Sequence, residues 1–244
     1  MRAESRGLVV WAALAAFAGC HGPESAPAAP HGENSPFIIP EFGVGLCQSP
    51  INIRSAATPA ATEHEVHFDY KPAHERITHK AHTVQIDWEE GSTLTIDGAV
   101  YDFRQLHFHT PSEHLVDGVT YPMEVHLVHT GRADPETYLV VSLLFKEGAE
   151  HAFLADFLDD VPEDAGGVLE GDRVLDLTRL RPADRRYFNY DGSLTTPPYT
   201  ETVRWFVISE IQRASSAQIE RIAILEGNNA RHIQALHGRR VERG

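Results

Sequence analysis

At 244 residues, with 42% hydrophobic and 23% charged residues, the chain has apolar material for one globular core and fits a single domain of ordinary size. A formal net charge of −14 argues against a nucleic-acid partner, because phosphate contacts need clustered Lys and Arg. The only lysines are Lys71, Lys80 and Lys146.

In chain order, the first element is a leader. Arg2 and Arg6 precede the apolar run GLVVWAALAAFAGC, which is too short for a comfortable membrane-spanning helix and ends in small residues, so 1–19 reads as a secretory signal. Its end, Phe17-Ala18-Gly19-Cys20, resembles the lipobox of bacterial lipoproteins, which implies a lipid anchor at Cys20 and a periplasmic or cell-surface chain. Residues 20–36, rich in Pro, Ala and Gly, form a flexible linker behind that anchor. With Arg2, Glu4 and Arg6 removed, 19 basic and 34 acidic residues remain, and Cys47 is left as a free thiol with no internal partner.

Residues 37–244 read as one domain dominated by short alternating segments. Strands are expected at 82–88, 93–96, 100–109, 123–129, 138–145 and 202–208. Glu90-Gly91, Asp97-Gly98 and Asp117-Gly118 mark turns between them, and turns this close favour antiparallel neighbours. Two helices are expected. In 150–160, Phe153, Leu154, Phe157 and Leu158 have helical spacing; 215–225 opens on Ser-x-x-Gln, a capping box, with Ile219, Ile222 and Leu225 on one face. The fold class is therefore mainly β, a sheet with a few peripheral helices.

Among the 15 histidines, those of QLHFHTPSEH (105–114) are arranged for chemistry. On a strand His107 and His109 share a face, about 7 Å apart by strand rise, while Leu106 and Phe108 point the other way. A third ligand is available from His126 in Glu-Val-His-Leu-Val-His, 124–129, on a neighbouring strand. Three neutral histidines without a thiolate leave a fourth position for water, the pattern of a catalytic zinc site. Gln105 and Glu124 share the faces of these histidines and can accept their second N–H protons, while His114 and His129 read as structural. A metal cupin is the alternative reading, with Glu113 itself a ligand. Gly118 stands too early for that pattern, and no second cupin motif is found.

Downstream, Asp191-Gly192-Ser193-Leu194-Thr195-Thr196-Pro197-Pro198 breaks the tie. With Gln48-Ser49-Pro50-Ile51-Asn52-Ile53, the histidine segments and Asn228-Asn229-Ala230-Arg231, it resembles the α-class carbonic anhydrases from about Gly45 to Arg239. The resemblance implies a twisted, mostly antiparallel central sheet and reversible hydration of CO2 to bicarbonate by zinc-bound hydroxide. It places Zn2+ on His107, His109 and His126, supported by Gln105 and Glu124. It makes Thr195 a gatekeeper donating to Glu113, and Thr196, Val128, Val140 and Leu194 the substrate pocket. His82 becomes the proton shuttle, with His79 as a second relay. The only partners implied are the small-molecule substrates and, through the anchor at Cys20, a membrane; nothing sets an oligomeric state.

Two departures from the resemblance are visible. Between Cys20 and Gln48 there is no Trp or Tyr, so the family's N-terminal aromatic segment is missing. Where many secreted relatives have a cysteine after Pro-Pro, this chain has Tyr199. A carbonic-anhydrase-like binding module without catalysis is the competing function; such relatives typically lose a zinc histidine, and all three are present here.

Overall fold

The computed structural model describes residues 45–60, 63–181 and 186–244. The expected signal, anchor and linker, together with residues 37–44, lie outside the described residues. In chain order the elements are β1 (Asn52–Ile53), β2 (Val66–Asp69), β3 (Ala73–Lys80), β4 (Thr83–Asp87), β5 (Thr93–Ile96), β6 (Ala99–His109), β7 (Leu115–Val116), β8 (Val119–Thr120), β9 (Met123–Gly131) and β10 (Tyr138–Glu147). There follow α1 (Ala152–Ala155), β11 (Val168–Leu175), β12 (Tyr187–Gly192), β13 (Val203–Ile208), β14 (Gln212–Ala214), α2 (Ser216–Glu226) and β15 (Glu242–Arg243). The fold is mainly β, as the sequence pattern implies.

One large sheet runs β11-β3-β4-β6-β9-β10-β13-β12-β15, with β5 also on β6, β2 on β5, and β14 on β10. Its pairings are antiparallel except β10–β13 and β10–β14. A small second sheet joins β1, β7 and β8. Alternation sorts side chains into two cores. Met123, Val125 and Leu127 of β9, with Leu139, Val141, Leu143 and Phe145 of β10, face the larger one, which α1 and α2 cover with Phe153, Leu154, Ile219, Ile222 and Leu225. Val128, Val140 and Leu144 face the other side, against Ile51, Tyr190, Val203 and Trp205.

β6 changes phase along its length. Tyr101 and Phe103 point into the larger core, but so do Leu106 and Phe108, an odd pair followed by an even pair. The pairing with β9 jumps from Phe103↔His129 to Gln105↔Val128, so Arg104 is the extra residue of a β-bulge. Without it, positions 107 and 109 would continue the odd set into the apolar core. The bulge is what turns both histidines to the opposite face.

α2 has the expected cap: Gln218 N–H donates to Ser215 Oγ at 3.2 Å, and Ser215 N–H donates to Gln218 Oε1 at 3.1 Å. The other expected helix is only partly formed. Helix holds at Ala152–Ala155, then Phe157 at φ −137° breaks it before a 3-10 turn, Leu158–Asp160. All four of its apolar residues are nevertheless buried, so the spacing reports burial rather than continuity. The expectation of a free thiol at Cys47 is corrected: Cys47 is buried and disulfide-bonded. That expectation came from assigning Cys20, the only other cysteine in the sequence, to a lipid anchor. Among the described residues no helix is long and apolar enough to cross a membrane.

Candidate metal centre and active site

The bulged β6 and the central β9 bring the three expected histidines together. His107 is the direct cross-strand partner of His126, and His109 is that of Glu124. The ring centroids are 5.1 Å apart for His107–His109, 5.1 Å for His107–His126 and 4.5 Å for His109–His126. One nitrogen of each lies within 4.8 Å of the others, closer than the strand-rise spacing because the rings converge. His109 and His126 are buried, and His107 is half-buried.

Hydrogen bonds fix which nitrogen each ring presents. His107 Nδ1–H donates to Gln105 Oε1 at 2.9 Å, leaving Nε2 to face the cluster. His126 Nε2–H donates to Glu124 Oε1 at 2.8 Å, leaving Nδ1. Both ring nitrogens of His109 are buried without a hydrogen-bond partner, and so is Glu113 Oε2, 3.6 Å from His109 Nε2 and 4.0 Å from His126 Nδ1. Buried polar atoms are almost always paired, so an unpaired Glu113 Oε2 beside the unpaired His109 Nε2 marks a place built for a ligand. The donor set, three imidazoles of which His107 and His126 are held in defined tautomers by outer partners, suits a zinc ion.

Electrostatics agree with neutral imidazoles. Burial, reinforced by the neighbouring rings and by Lys80, holds His107 well below the usual histidine range. Burial takes His109 down to about 4. Burial would raise Glu124, but its interactions with His114 and His126 and the hydrogen bonds they donate outweigh it and hold this carboxyl well below its ordinary value. Its oxygens also accept from Ser142 Oγ at 2.6 Å and from the Glu113 and His114 amides at 2.8 Å each. Glu113 is pushed up to about 7 by burial, opposed by His126, by the Arg231 amide and by the Thr195 hydroxyl. Oε1 of Glu113 accepts from Arg231 N–H at 2.9 Å.

The loop 193–200 lies over this floor because two motifs distant in sequence lock together. Ser49 N–H donates to Ser193 Oγ at 3.0 Å and Ser193 N–H to Ser49 Oγ at 3.1 Å. A side chain at Gly192 would collide with Ser49 Oγ, so that position takes only glycine. Leu194 and Thr195 are half-buried and Thr196 is exposed. Val128 and Val140 are direct cross-strand partners, and Leu194 packs on the cluster they belong to. Trp205 of the same cluster lies 4.8 Å from the His126 ring.

His82 is exposed in the β3–β4 turn, its carbonyl accepting from Asn229 Nδ2 at 2.8 Å. His79 is not in reach of the site. It points into the opposite face of β3, with ring nitrogens 2.9 Å from the carbonyl oxygens of Pro162 and Leu225, which corrects its reading as a second relay. His114 is buried between Glu124 Oε1, at 2.7 Å from Nδ1, and Tyr190 Oη, at 2.6 Å from Nε2. His129 is held by Tyr70 Oη at 2.8 Å and Leu139 O at 3.1 Å.

Two contributors carried no assigned role in the sequence. Asn229 accepts from the Thr110 amide at 3.0 Å and reaches the Phe108 carbonyl at 3.1 Å, pinning the end of β6. Arg231 holds Glu113 through its amide. Both sit in the closing Asn-Asn-Ala-Arg segment, which was the available signal.

Comparison with known proteins decides the family. The family model described as eukaryotic-type carbonic anhydrase matches residues 39–244. The chain belongs to that carbonic anhydrase family. A carbonic anhydrase of Neisseria gonorrhoeae is 35% identical over 199 residues, 81% of this chain and 77% of that protein. The solved α-carbonic anhydrase of Photobacterium profundum is 38% identical with a TM-score of 0.76, covering 82% of this chain and 90% of that one. The Thermovibrio ammonificans α-carbonic anhydrase, solved with the inhibitor sulfanilamide, is 35% identical with a TM-score of 0.78, covering 81% and 87%. This chain is thus a carbonic anhydrase, an enzyme of small-molecule substrates, and its family's general reaction is CO2 hydration.

Proposed function

We propose that the enzyme is zinc-dependent, with His107 and His109 binding through β6 and His126 through β9. The observation that carries this reading is the orphaned His109 ring, both nitrogens buried and unpartnered beside two rings whose free nitrogens face the same point. When bound, zinc supplies a water ionised near neutral pH, its pKa brought to about 7 in the carbonic anhydrase case on which that magnitude is based.

The chain's own residues do the rest. Gln105 and Glu124 hold the imidazole tautomers. Glu113 accepts a hydrogen bond from the Thr195 hydroxyl, and a cation held by the three neutral histidines would favour its ionised form. With its O–H donating a hydrogen bond to Glu113, the Thr195 oxygen is left to accept from the attacking oxygen and thereby sets which lone pair faces the carbon of CO2. Val128, Val140 and Leu194 form the dry wall that receives CO2, and Thr196 borders the bicarbonate position. The released proton leaves through His82, an exposed imidazole in the β3–β4 turn that can exchange it with buffer.

We extend the reading to an exported chain: a signal over 1–19, a linker over 20–36 and the catalytic domain over 37–244, in the periplasm or at the cell surface, with a lipid anchor at Cys20 as the alternative to a disulfide through that sulfur. A lipid thioether on Cys20 and a disulfide to Cys47 would use the same sulfur, so membrane fractionation that Cys20→Ser abolishes supports the anchor, and a soluble wild type rules it out. The catalytic reading is tested by metal analysis with a CO2-hydration assay: zinc with activity supports it, and zinc without activity favours a binding module.

A further inference from the structure

We propose that Tyr199 is a positioning residue, which by stacking on the Arg231 guanidinium locks the loop carrying Thr195 to the same residue whose amide holds Glu113. This deepens the reading above and rests on it for the roles of Thr195 and Glu113.

Tyr199 follows Thr195 by four residues in the loop and is half-buried. Its φ of +60° lies in the left-handed region, which a bulky side chain rarely adopts. Such strain persists only where the surroundings over-determine it. Here they do. Cζ of Arg231 stands 3.8 Å from the tyrosine ring centroid, the geometry of a stacked guanidinium. The Tyr199 amide donates to Thr196 O at 2.9 Å, and its carbonyl accepts from Gln48 Nε2 at 3.2 Å. The loop is closed at its base by Leu194 N–H donating to Thr200 O at 3.0 Å.

Arg231 is placed from two other directions. Nη1 donates to Ser49 O at 2.6 Å, and the Arg231 amide donates to Glu113 Oε1 at 2.9 Å. One residue therefore touches the loop that carries Thr195 and the carboxylate that Thr195 serves. Registration between hydroxyl and carboxylate depends on loop height above the β6–β9 floor, and errors of about 1 Å in such geometry are costly to rate. The strained tyrosine acquires a reason: its ring must lie under the cation, and the backbone bends to put it there.

The test uses the full zinc-loaded chain with Y199F and Y199L, read by amide hydrogen exchange at positions 194 and 199, zinc content, and kcat and KM for CO2 hydration. Y199F keeps the ring over the guanidinium and is expected to stay within about twofold of wild type in every readout. Y199L keeps apolar volume but loses the cation contact. Its expected result is unchanged zinc, exchange at 194 and 199 faster by about tenfold, and kcat lowered by about tenfold with KM little changed. Should leucine at this backbone angle block folding, Y199G removes the ring without strain, and the same changes are expected. Wild-type exchange in the ring-deleted variant overturns the clamp, as does Y199F behaving like Y199L. A wild type without hydration activity defeats the functional reading alone, and the exchange comparison then still decides whether Tyr199 holds the loop.

Discussion

His109 and His129 lie on adjacent strands of one sheet, are 3% and 0% exposed, and are both taken by burial to about 4. Burial and basicity do not distinguish them; partners do. His129 donates to Leu139 O and accepts from Tyr70 Oη, so its imidazole is complete. His109 has neither nitrogen satisfied and faces two more rings and the orphaned Oε2 of Glu113. A buried histidine is architecture when its hydrogen bonds close and a site when they do not.

The largest expected contrast comes from truncating each. His109→Ala is predicted to abolish zinc binding and reduce CO2 hydration to background, while His129→Ala keeps zinc and costs about 2–4 kcal/mol of stability, through a cavity and the unpaired Tyr70 hydroxyl and Leu139 carbonyl. Denaturant melts alongside zinc analysis check both arms, and zinc loss in both variants would erase the distinction. Next in size is Thr195→Ala, predicted to retain zinc and slow hydration by about 100-fold in stopped-flow assays, since it removes orientation rather than a ligand. His82→Ala is expected to lower the maximal rate by about tenfold in weak buffer and to recover with added imidazole. Full activity without imidazole would move the proton route elsewhere.

The smallest contrast is between the histidine floor and Glu226 at the end of α2, buried at 1% exposure with Val84 N–H donating to Oε1 at 2.7 Å. Burial pushes this carboxyl up to about 9 against that hydrogen bond and one from Asn229. A raised folded-state pKa means stability is fully present below the unfolded value near 4.5 and is lost as pH rises toward about 9. Within that window the wild type is predicted to lose stability as pH rises, a dependence that Glu226→Gln removes. Parallel pH-stability curves for the two chains would contradict it.

How much of this was legible in the sequence depended on whether polarity and burial agreed. β9 and β10 are buried along nearly their whole length and stand where the pattern put them. β3 was missed because two of its four inward residues are Glu75 and His79, whose polarity hides the alternation from a hydrophobic reading. The bulge at Arg104 was present as a phase slip, odd Tyr101 and Phe103 against even Leu106 and Phe108, but only the pairing with β9 shows the extra residue. The three histidines and their outer partners followed from strand alternation. Glu113, Thr195 and His82 entered only through family resemblance, since no local spacing links residues brought together by loops. Arg231 and Tyr199 were visible as letters and invisible as a contact, because their meeting is set by the packing of chain segments 32 residues apart.

The central claim is that three converging nitrogens with an unsatisfied His109 exist to hold one metal ion. Metal analysis of the purified full-length chain tests it most directly. About one zinc per chain is expected, tetrahedral with three protein ligands. A chain that purifies without zinc and fails to take it up on addition, while remaining folded, would contradict it.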